Sequence, residues 1–390
     1  MNILPAEGKF TNYIHTKAMI AGVPLNGTFE LTPCCNMACK MCYVRLSREQ
    51  QKAAGPLHPA EDWLKLGRIA REHGMLYLLL TGGEPFTHPQ FRTIMEGLHE
   101  MGLIISINSN ATLIRKETVE WLKKCPPSRI NITLYGASDK TYERLCGNPH
   151  GFTQTTNAIR MLTDAGISVK LNCSVTPYNC GDLEQIFAFA EENNLKLQAT
   201  SYMFPPLRRD RSRIGETDRF SPEEAAYQSA RIESLFYGDA KFLNHMETME
   251  TQKKLSLSGE SGNDCLDSSE TGEEMHCRAG KCTFWITWEG KMLPCGMFCT
   301  DGAPNVFKDD FGRAWNKIHK EALAIRLPKE CAACQYKDQC RNCAAMTYTE
   351  TGSFNEKPLY RCRMAEAFPA ACRRVEKEIR ERMRSNDYEK

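Results

Sequence analysis

The stretch TPCCNMACKMC, residues 32–42, contains four cysteines and directly follows the short apolar run TFEL. Cys35, Cys39 and Cys42 are spaced C-x3-C-x2-C, and thiolates at this spacing can bind one metal centre from a single loop. Three thiolates are one short of a closed tetrahedral site, so one position stays open to a substrate or cofactor. Cys34 could supply a fourth thiolate, but neighbouring side chains in an extended loop tend to point apart. The loop therefore predicts a reactive metal centre.

The composition argues against several other kinds of protein. The 390 residues carry a net charge of +2, so electrostatics give no reason to expect nucleic acid or an anionic membrane as a partner. No apolar stretch approaches the roughly 20 residues of a membrane span, and the N-terminus lacks the pattern of a secretory signal. We therefore predict a cytoplasmic protein that binds no nucleic acid and no membrane. In that compartment the 19 cysteines favour metal or redox chemistry over disulfides.

Residues 28–202 alternate short apolar runs with longer amphipathic stretches. The six apolar runs predict strands, and they read TFELT, MLYLLL, LIISIN, RINITLY, ISVKLNCSV and LKLQATSY. Strands that alternate with helices indicate βαβ units, a parallel sheet and the α/β fold class. Six units are fewer than the eight of a closed barrel. The unusual loops follow the strands, where active sites of parallel α/β folds gather.

The C-x3-C-x2-C loop, together with TGGEP at residues 81–85 after the second strand, resembles the signature of the radical S-adenosylmethionine (SAM) superfamily. The resemblance implies a partial (β/α)6 barrel in which Cys35, Cys39 and Cys42 hold a [4Fe–4S] cluster. It also implies that the open iron binds SAM, which is cleaved to methionine and a 5′-deoxyadenosyl radical. The residues expected to contact SAM are Gly82, Gly83 and Glu84 near its amino group, and Thr133 and Arg144 near its ribose and carboxylate.

A second cysteine-rich region begins at Cys277. It reads C-x12-G-x4-C from Cys277 to Cys295, with Cys282 inside, and then C-x2-C-x5-C-x2-C over residues 331–343. Such C-x2-C pairs often make structural zinc sites. The order also resembles the SPASM domain of peptide-modifying radical SAM enzymes, although its last short gap is two residues instead of three. That resemblance implies two auxiliary [4Fe–4S] clusters, the first on Cys277, Cys282, Cys295 and Cys343, the second on Cys331, Cys334, Cys340 and Cys362.

One ligand of the first auxiliary cluster stays open. If Cys282 is not a ligand, that cluster would have an iron available to substrate, and Cys299 is the rival ligand.

The patterns divide the chain into five segments. They are an N-terminal extension (1–27), the radical SAM barrel (28–235), a linker or flap (236–276), a small cysteine-rich SPASM domain (277–365) and a charged C-terminal helix (366–390).

The resemblance implies hydrogen abstraction from a ribosomally made peptide, giving a thioether or carbon–carbon crosslink, an epimer or a related oxidation product. An electron donor such as flavodoxin or ferredoxin is expected. About 28 residues precede the first strand, so either a separate leader-binding protein delivers the peptide or the barrel and residues 204–228 bind it. No catalytic acid or base can be assigned.

Three alternatives remain. A sulfatase-type maturase that forms formylglycine would carry Asp directly after the equivalent of Cys295, where this chain has Gly296. A radical dehydrogenase of a small molecule is the second, and a non-catalytic iron–sulfur scaffold or electron carrier is the third.

Two further features give structural predictions. Trp285 and Trp288 alternate as on one strand of a hairpin that turns at residues 289–290, and both are expected in the core. The second feature is a basic cluster, formed by Arg208, Arg209, Arg211 and Arg213. We expect it to be a solvated charged turn, in preference to a docking site for an acidic leader or a peptide carboxylate.

Overall fold

The computed structural model describes residues 8–208, 215, 218–258 and 272–388. Its centre is one sheet with the strand order β6-β5-β4-β3-β2-β1-β7-β8. The first six strands pair in parallel and in chain order, which confirms the predicted α/β fold with six βα units. The strands are β1 Asn26–Glu30, β2 Tyr77–Thr81, β3 Ile104–Ser109, β4 Arg129–Thr133, β5 Val169–Ser174, β6 Lys196–Thr200, β7 Thr283–Ile286 and β8 Met292–Leu293.

Helices cover the outer face of this sheet and continue into the C-terminal region. Local signals begin several of them: the Ser221 hydroxyl, for example, accepts a hydrogen bond from the backbone N–H of Glu224, and Pro222 stands in the first turn. The helices are α1 Lys9–Ala21, α2 Arg48–Ala54, α3 Ala60–Glu72, α4 Phe91–Glu100, α5 Lys116–Lys124, α6 Asp139–Cys146, α7 Gly151–Asp164, α8 Leu183–Glu192, α9 Pro222–Tyr237, α10 Asp239–Ser258, α11 Phe311–Ala324, α12 Lys329–Ala332, α13 Lys337–Cys340, α14 Ala344–Thr351 and α15 Leu359–Tyr388.

The two faces of the parallel sheet differ in polarity. Ile107, Ile130 and Ile132 alternate along β3 and β4 and are fully buried beneath the helices. Their neighbours Asn108 and Asn131 point to the opposite, concave face and hydrogen-bond to each other at 2.8 Å. We call the space in front of this polar face the lumen. It is the surface that the parallel strands offer to a substrate.

The cysteine-rich C-terminal region is joined to the barrel through the sheet itself. Strand β7 pairs in parallel with β1, from Thr283 opposite Asn26 to Ile286 opposite Phe29, and β8 returns antiparallel. The predicted hairpin turn is confirmed, because the Gly290 N–H donates to the Thr287 carbonyl and Gly290 has φ +85°. The barrel and the C-terminal region therefore share one hydrogen-bonded sheet.

The last helix crosses the segment boundary expected at residue 366. α15 begins at Leu359 and packs along α9, with Cys372, Val375 and Ile379 buried, so one face of this charged helix belongs to the core. α10 occupies part of the expected linker, and residues 259–271 lie outside the described residues. Within the described ranges, no helix combines the length and hydrophobicity needed to cross a membrane.

Candidate functional site

The loop after β1 brings its three cysteines together at the C-terminal edge of the sheet. Burial, reinforced by the nearby charges of Glu84, Cys39 and Cys42, raises the pKa of the Cys35 thiol to about 12. The backbone N–H of Arg45 donates to Cys42 Sγ at 3.2 Å. Grouped thiols become thiolates when they bind a cationic metal centre. The site therefore fits the iron–sulfur cluster that the sequence predicts.

Cys34 faces away from this group. Its Sγ lies 4.0 Å from Gln51 Oε1 on α2, and its carbonyl accepts a hydrogen bond from the Glu84 N–H at 2.9 Å. Cys35, Cys39 and Cys42 thus form a trio, as the spacing predicts.

The TGGEP segment lies against the backbone of the cysteine loop. The Gly83 N–H donates to the Thr32 carbonyl at 2.7 Å. A Cβ atom on Gly83 would lie 2.3 Å from the Cys34 carbonyl oxygen, and one on Gly82 would lie 2.5 Å from that of Thr32. The two glycines are therefore required for close packing against the cluster loop, whatever contact they also make with SAM.

Glu84 is fully buried and ties the second and third strand ends together. Its carboxylate accepts hydrogen bonds from the Asn110 N–H at 2.7 Å and the Ser109 hydroxyl at 2.8 Å. Burial raises the pKa of Glu84 to about 7, although these hydrogen bonds and one from Phe86 oppose the rise. The carboxyl group therefore changes charge close to neutral pH, beside the expected SAM amino group.

The structure adds Asn110, Tyr135 and Cys146 to the site. Asn110 Nδ2 lies 3.6 Å from Cys35 Sγ. A hydrogen bond from the Cys146 thiol, helped by one from the Tyr135 hydroxyl, lowers the pKa of the Cys39 thiol against the effect of burial. Asn110 directly follows β3, at the edge of the sheet where site residues gather, so its place in the site could have been predicted from the sequence. Cys146 is fully buried, and no sequence signal connected it with Cys39.

Helix α6 supports the cysteine loop from below. The backbone N–H groups of Ala38 and Lys40 donate to the carbonyls of Cys146 and Leu145, at the C-terminal end of α6. Arg144 lies on the same helix, is exposed, and donates to the Tyr178 carbonyl.

Thr133 lies nearby, as the last residue of β4, and is half-buried. Both expected SAM contacts beyond TGGEP, Thr133 and Arg144, therefore lie at the same edge of the sheet as the trio.

Three of the four expected ligands of the first auxiliary cluster come together. Burial, with Cys343 and Cys277 close by, raises the pKa of the Cys295 thiol to about 11. Cys282 is instead fully buried in a separate apolar cluster with Ala18 and Leu25, where β1 and β7 begin. The structure does not bring Cys282 to the other three thiols.

The rival ligand Cys299 is not brought there either. Its Sγ accepts a hydrogen bond from the Asp301 N–H, and it lines a different cavity with Phe298 and Ile325.

These positions give a prediction for the first auxiliary cluster. Replacing Cys277 by alanine should remove about four irons per chain, the content of one [4Fe–4S] cluster. The matched change Cys282→Ala should leave the iron content of the anaerobically reconstituted protein unchanged and cost only the packing of a small buried side chain. Iron analysis of both variants decides the matter, since equal losses would make Cys282 a ligand.

The four expected ligands of the second auxiliary cluster do lie together. Burial raises the pKa of the Cys362 thiol to about 11, opposed by Lys357 and reinforced by the other three thiols. A cavity of about 1160 Å³ is lined by this group and also by Cys277 and Cys343. The ligands that surround it are Cys331, Cys334, Cys340 and Cys362.

A buried ion pair lies between the trio and Cys295. Both terminal nitrogens of Arg208 donate to Glu30, the last residue of β1, at 2.8 and 2.9 Å, and one also donates to the Gly296 carbonyl at 3.0 Å. The Arg208 side chain is only 6% exposed, so the expectation of a solvated turn is wrong for this residue. Arg209, Arg211 and Arg213 lie outside the described residues.

The two hairpin tryptophans have different surroundings. Trp288 is buried, which confirms its predicted place in the core. Trp285 is half-buried and lines the lumen, where its Nε1–H donates to Glu30 at 3.0 Å. Its position follows from the pairing of β7 with β1, which sequence alone does not show.

Comparisons with known proteins agree with this arrangement. A model of the radical SAM superfamily matches residues 29–190. AdoMet-dependent heme synthase of Methanosarcina barkeri is 27% identical over 348 residues, covering 85% of this chain and 94% of that protein. The antilisterial bacteriocin subtilosin biosynthesis protein AlbA of Bacillus subtilis is 27% identical over 330 residues, covering 82% of this chain and 67% of that protein.

Two solved structures share the fold over almost the whole chain. SuiB of Streptococcus suis, bound to the precursor peptide SuiA, gives a TM-score of 0.61 at 17% identity and covers 92% of this chain and 84% of its own. The anSMEcpe structure with bound AdoMet gives a TM-score of 0.66 at 16% identity and covers 91% and 99%. Residues 29–190 therefore form a radical SAM domain in an enzyme whose cofactors are SAM and [4Fe–4S] clusters, and the chain shares the fold of SuiB and anSMEcpe.

Proposed function

We propose that this enzyme modifies a ribosomally made peptide, which reaches the trio through the lumen. The observation that carries the proposal is the short path between the two reactive ends of the site. Tyr43 directly follows Cys42, and the Arg208 guanidinium lies 5.7 Å from the centre of its ring. The same guanidinium donates to the carbonyl of Gly296, the residue after Cys295, at 3.0 Å. A substrate at the mouth of the lumen would thus lie between the radical centre and the first auxiliary group.

The lumen suits the backbone of an extended peptide. Asn131 Nδ2 donates to Asn108, while Asn131 Oδ1 is buried and has no hydrogen-bond partner among the described residues. These amide side chains give the lumen polar groups of the kind that hydrogen-bond a peptide backbone. Lys170 and Gln198 continue the polar row on β5 and β6. The names of AlbA and of the SuiB complex, which concern a bacteriocin and a precursor peptide, support the same substrate class.

The chain's own contribution is positioning and exclusion of water. When bound, SAM and the trio's cluster supply a primary carbon radical able to remove hydrogen from an unactivated position. The glycines of TGGEP let its backbone pack against the cysteine loop, and Glu84 is placed to orient the SAM amino group. The Arg208–Glu30 pair fills the space between the trio and Cys295 and so excludes water from it. We further propose that Cys277, Cys295 and Cys343 hold the first auxiliary cluster and the remaining four C-terminal cysteines, Cys331, Cys334, Cys340 and Cys362, hold the second.

The outer partners belong to the same proposal. A cytoplasmic flavodoxin or ferredoxin would supply electrons, and a separate leader-binding protein would present the peptide to the lumen.

A second candidate function is radical oxidation of a small molecule. It is favoured by the M. barkeri protein, whose name assigns it haem synthesis and whose whole length this chain nearly covers. Formylglycine formation is disfavoured at residue 296. A Cβ atom on Gly296 would lie 2.7 Å from the Trp285 ring, so the aspartate of that branch does not fit here unless Trp285 moves.

Anaerobic reconstitution and product analysis test the proposal. The protein should bind about twelve irons, three clusters of four, and release 5′-deoxyadenosine on reduction. A short peptide encoded beside this gene should change mass when co-expressed with the enzyme and stay unmodified with the Cys39→Ala variant. An unchanged peptide, with a haem precursor converted in its place, would favour the second candidate. About four irons with two tightly bound zinc ions would contradict the auxiliary clusters.

A further inference from the structure

Arg361 occupies a buried position beside the second auxiliary thiol group. It lies in the first turn of α15, one residue before Cys362, and is only 7% exposed. One terminal nitrogen donates to the Cys340 carbonyl and lies 4.0 Å from Cys340 Sγ. The other lies 2.8 Å from the sulfur of Met364, and the guanidinium stands 5.0 Å from the centre of the Tyr202 ring.

This arginine has no carboxylate partner. Among the described residues, no acid lies within ion-pair distance of Arg361, and its Nε is buried without a hydrogen bond. Two other buried arginines do have a carboxylate partner: Arg208 is bidentate to Glu30, although its Nε is likewise unbonded, and Arg219 is bidentate to Glu350 at 2.5 and 2.8 Å. A buried charge with no compensating partner strongly destabilises a protein. The surroundings of Arg361 therefore require an anion that the side chains do not supply.

We propose that Arg361 is the counter-charge of the second auxiliary [4Fe–4S] cluster and raises its reduction potential. A cluster on four thiolates is an anion, and reduction makes it more negative. A buried cation held against Cys340 favours the reduced form, because net charge, hydrogen bonds to sulfur and solvent exposure set the potential of such clusters. The positive end of α15 acts in the same direction.

The inference rests on the proposed assignment of the second cluster, and it adds a role for a residue that binds no iron. Arg361 acts through Cys340 and the local field, so it is a positioning residue. Its removal should change the potential at which the cluster accepts an electron, and it should affect iron binding less.

Redox titration followed by electron paramagnetic resonance tests the role of Arg361. A background with the trio replaced by alanine leaves the two auxiliary clusters for observation. In that background Arg361→Gln should lower one of the two midpoint potentials by at least about 59 mV. For one electron, this shift corresponds to a tenfold change in the ratio of oxidised to reduced cluster. Arg363→Gln is the matched control, because Arg363 is exposed on the same helix, and it should shift neither potential.

The outcomes separate this inference from the proposed function. A full iron content with both potentials unchanged in Arg361→Gln would overturn the role of Arg361 and leave the clusters in place. Zinc in the parent protein would instead overturn the cluster assignment. If Arg361→Gln loses about four irons, Arg361→Lys, which keeps the charge, should retain them. Equal loss in the lysine variant would contradict the proposal.

Discussion

Replacing Cys35, Cys39 and Cys42 together by alanine should abolish release of 5′-deoxyadenosine and lower the iron content from about twelve to about eight per chain. The trio lies apart from both C-terminal thiol groups in the sequence and at the end of a different strand. Its loss should therefore leave the auxiliary clusters intact. Iron analysis and chromatography of the reduced reaction with SAM measure the two effects.

Cys173→Ala is the control for the loss of a buried thiol. Cys173 is buried on β5, and its thiol belongs to none of the three thiol groups. The Cys173→Ala variant should keep about twelve irons and full SAM cleavage, with a stability cost on the order of 1 kcal/mol for the smaller side chain. Continued SAM cleavage by the triple variant would show that the radical forms elsewhere, and the proposed function would then be wrong.

Gly83→Ala is expected to be nearly as damaging, although it removes no functional group. The added methyl group would meet the Cys34 carbonyl oxygen at 2.3 Å and the carbonyl of Pro33 at 2.7 Å. Overpacking against movable side chains costs about 1–3 kcal/mol, and backbone carbonyls in a hydrogen-bonded loop can move less. We expect the loop to shift, the trio to lose its cluster and SAM cleavage to fall below detection.

Gly181→Ala is the matched control for that change. A Cβ atom on Gly181 would have no heavy atom within 4 Å, and the residue has no positive φ, so alanine fits there without strain. Iron content, SAM binding and the thermal unfolding midpoint should therefore be clearly lower in Gly83→Ala than in Gly181→Ala. Normal cluster content in Gly83→Ala would mean that the TGGEP backbone does not hold the cysteine loop.

The local parts of this site could be predicted from sequence because each is short and periodic. The six parallel strands follow from apolar runs of regular spacing, and the trio follows from cysteines close together in one loop. The second thiol group, which includes the distant Cys362, is predicted only from the resemblance to the SPASM domain. Asn110 could have been added from its position directly after β3.

Other parts depend on contacts between distant residues, which no local pattern shows. The pairing of Arg208 with Glu30 is one example, because a lone acid at a strand end and an arginine in a charged run each resemble solvated residues. The place of Cys282 is another. Its spacing suits a ligand, but the pairing of β7 with β1 puts it at the start of the strand under α1.

The insertion of β7 beside β1 has a consequence for attempts to isolate the catalytic half of the molecule. A protein cut before residue 272 would lack β7, one of the two neighbours of β1, and the N–H and C=O groups from Asn26 to Phe29 that pair with β7 would face water along an open border of the sheet. Such borders recruit strands from other molecules and lead to aggregation. The cysteine-rich C-terminal region thus also covers the edge of the barrel sheet. Truncated proteins that lack it should aggregate and be recovered as insoluble protein before their chemistry can be assayed.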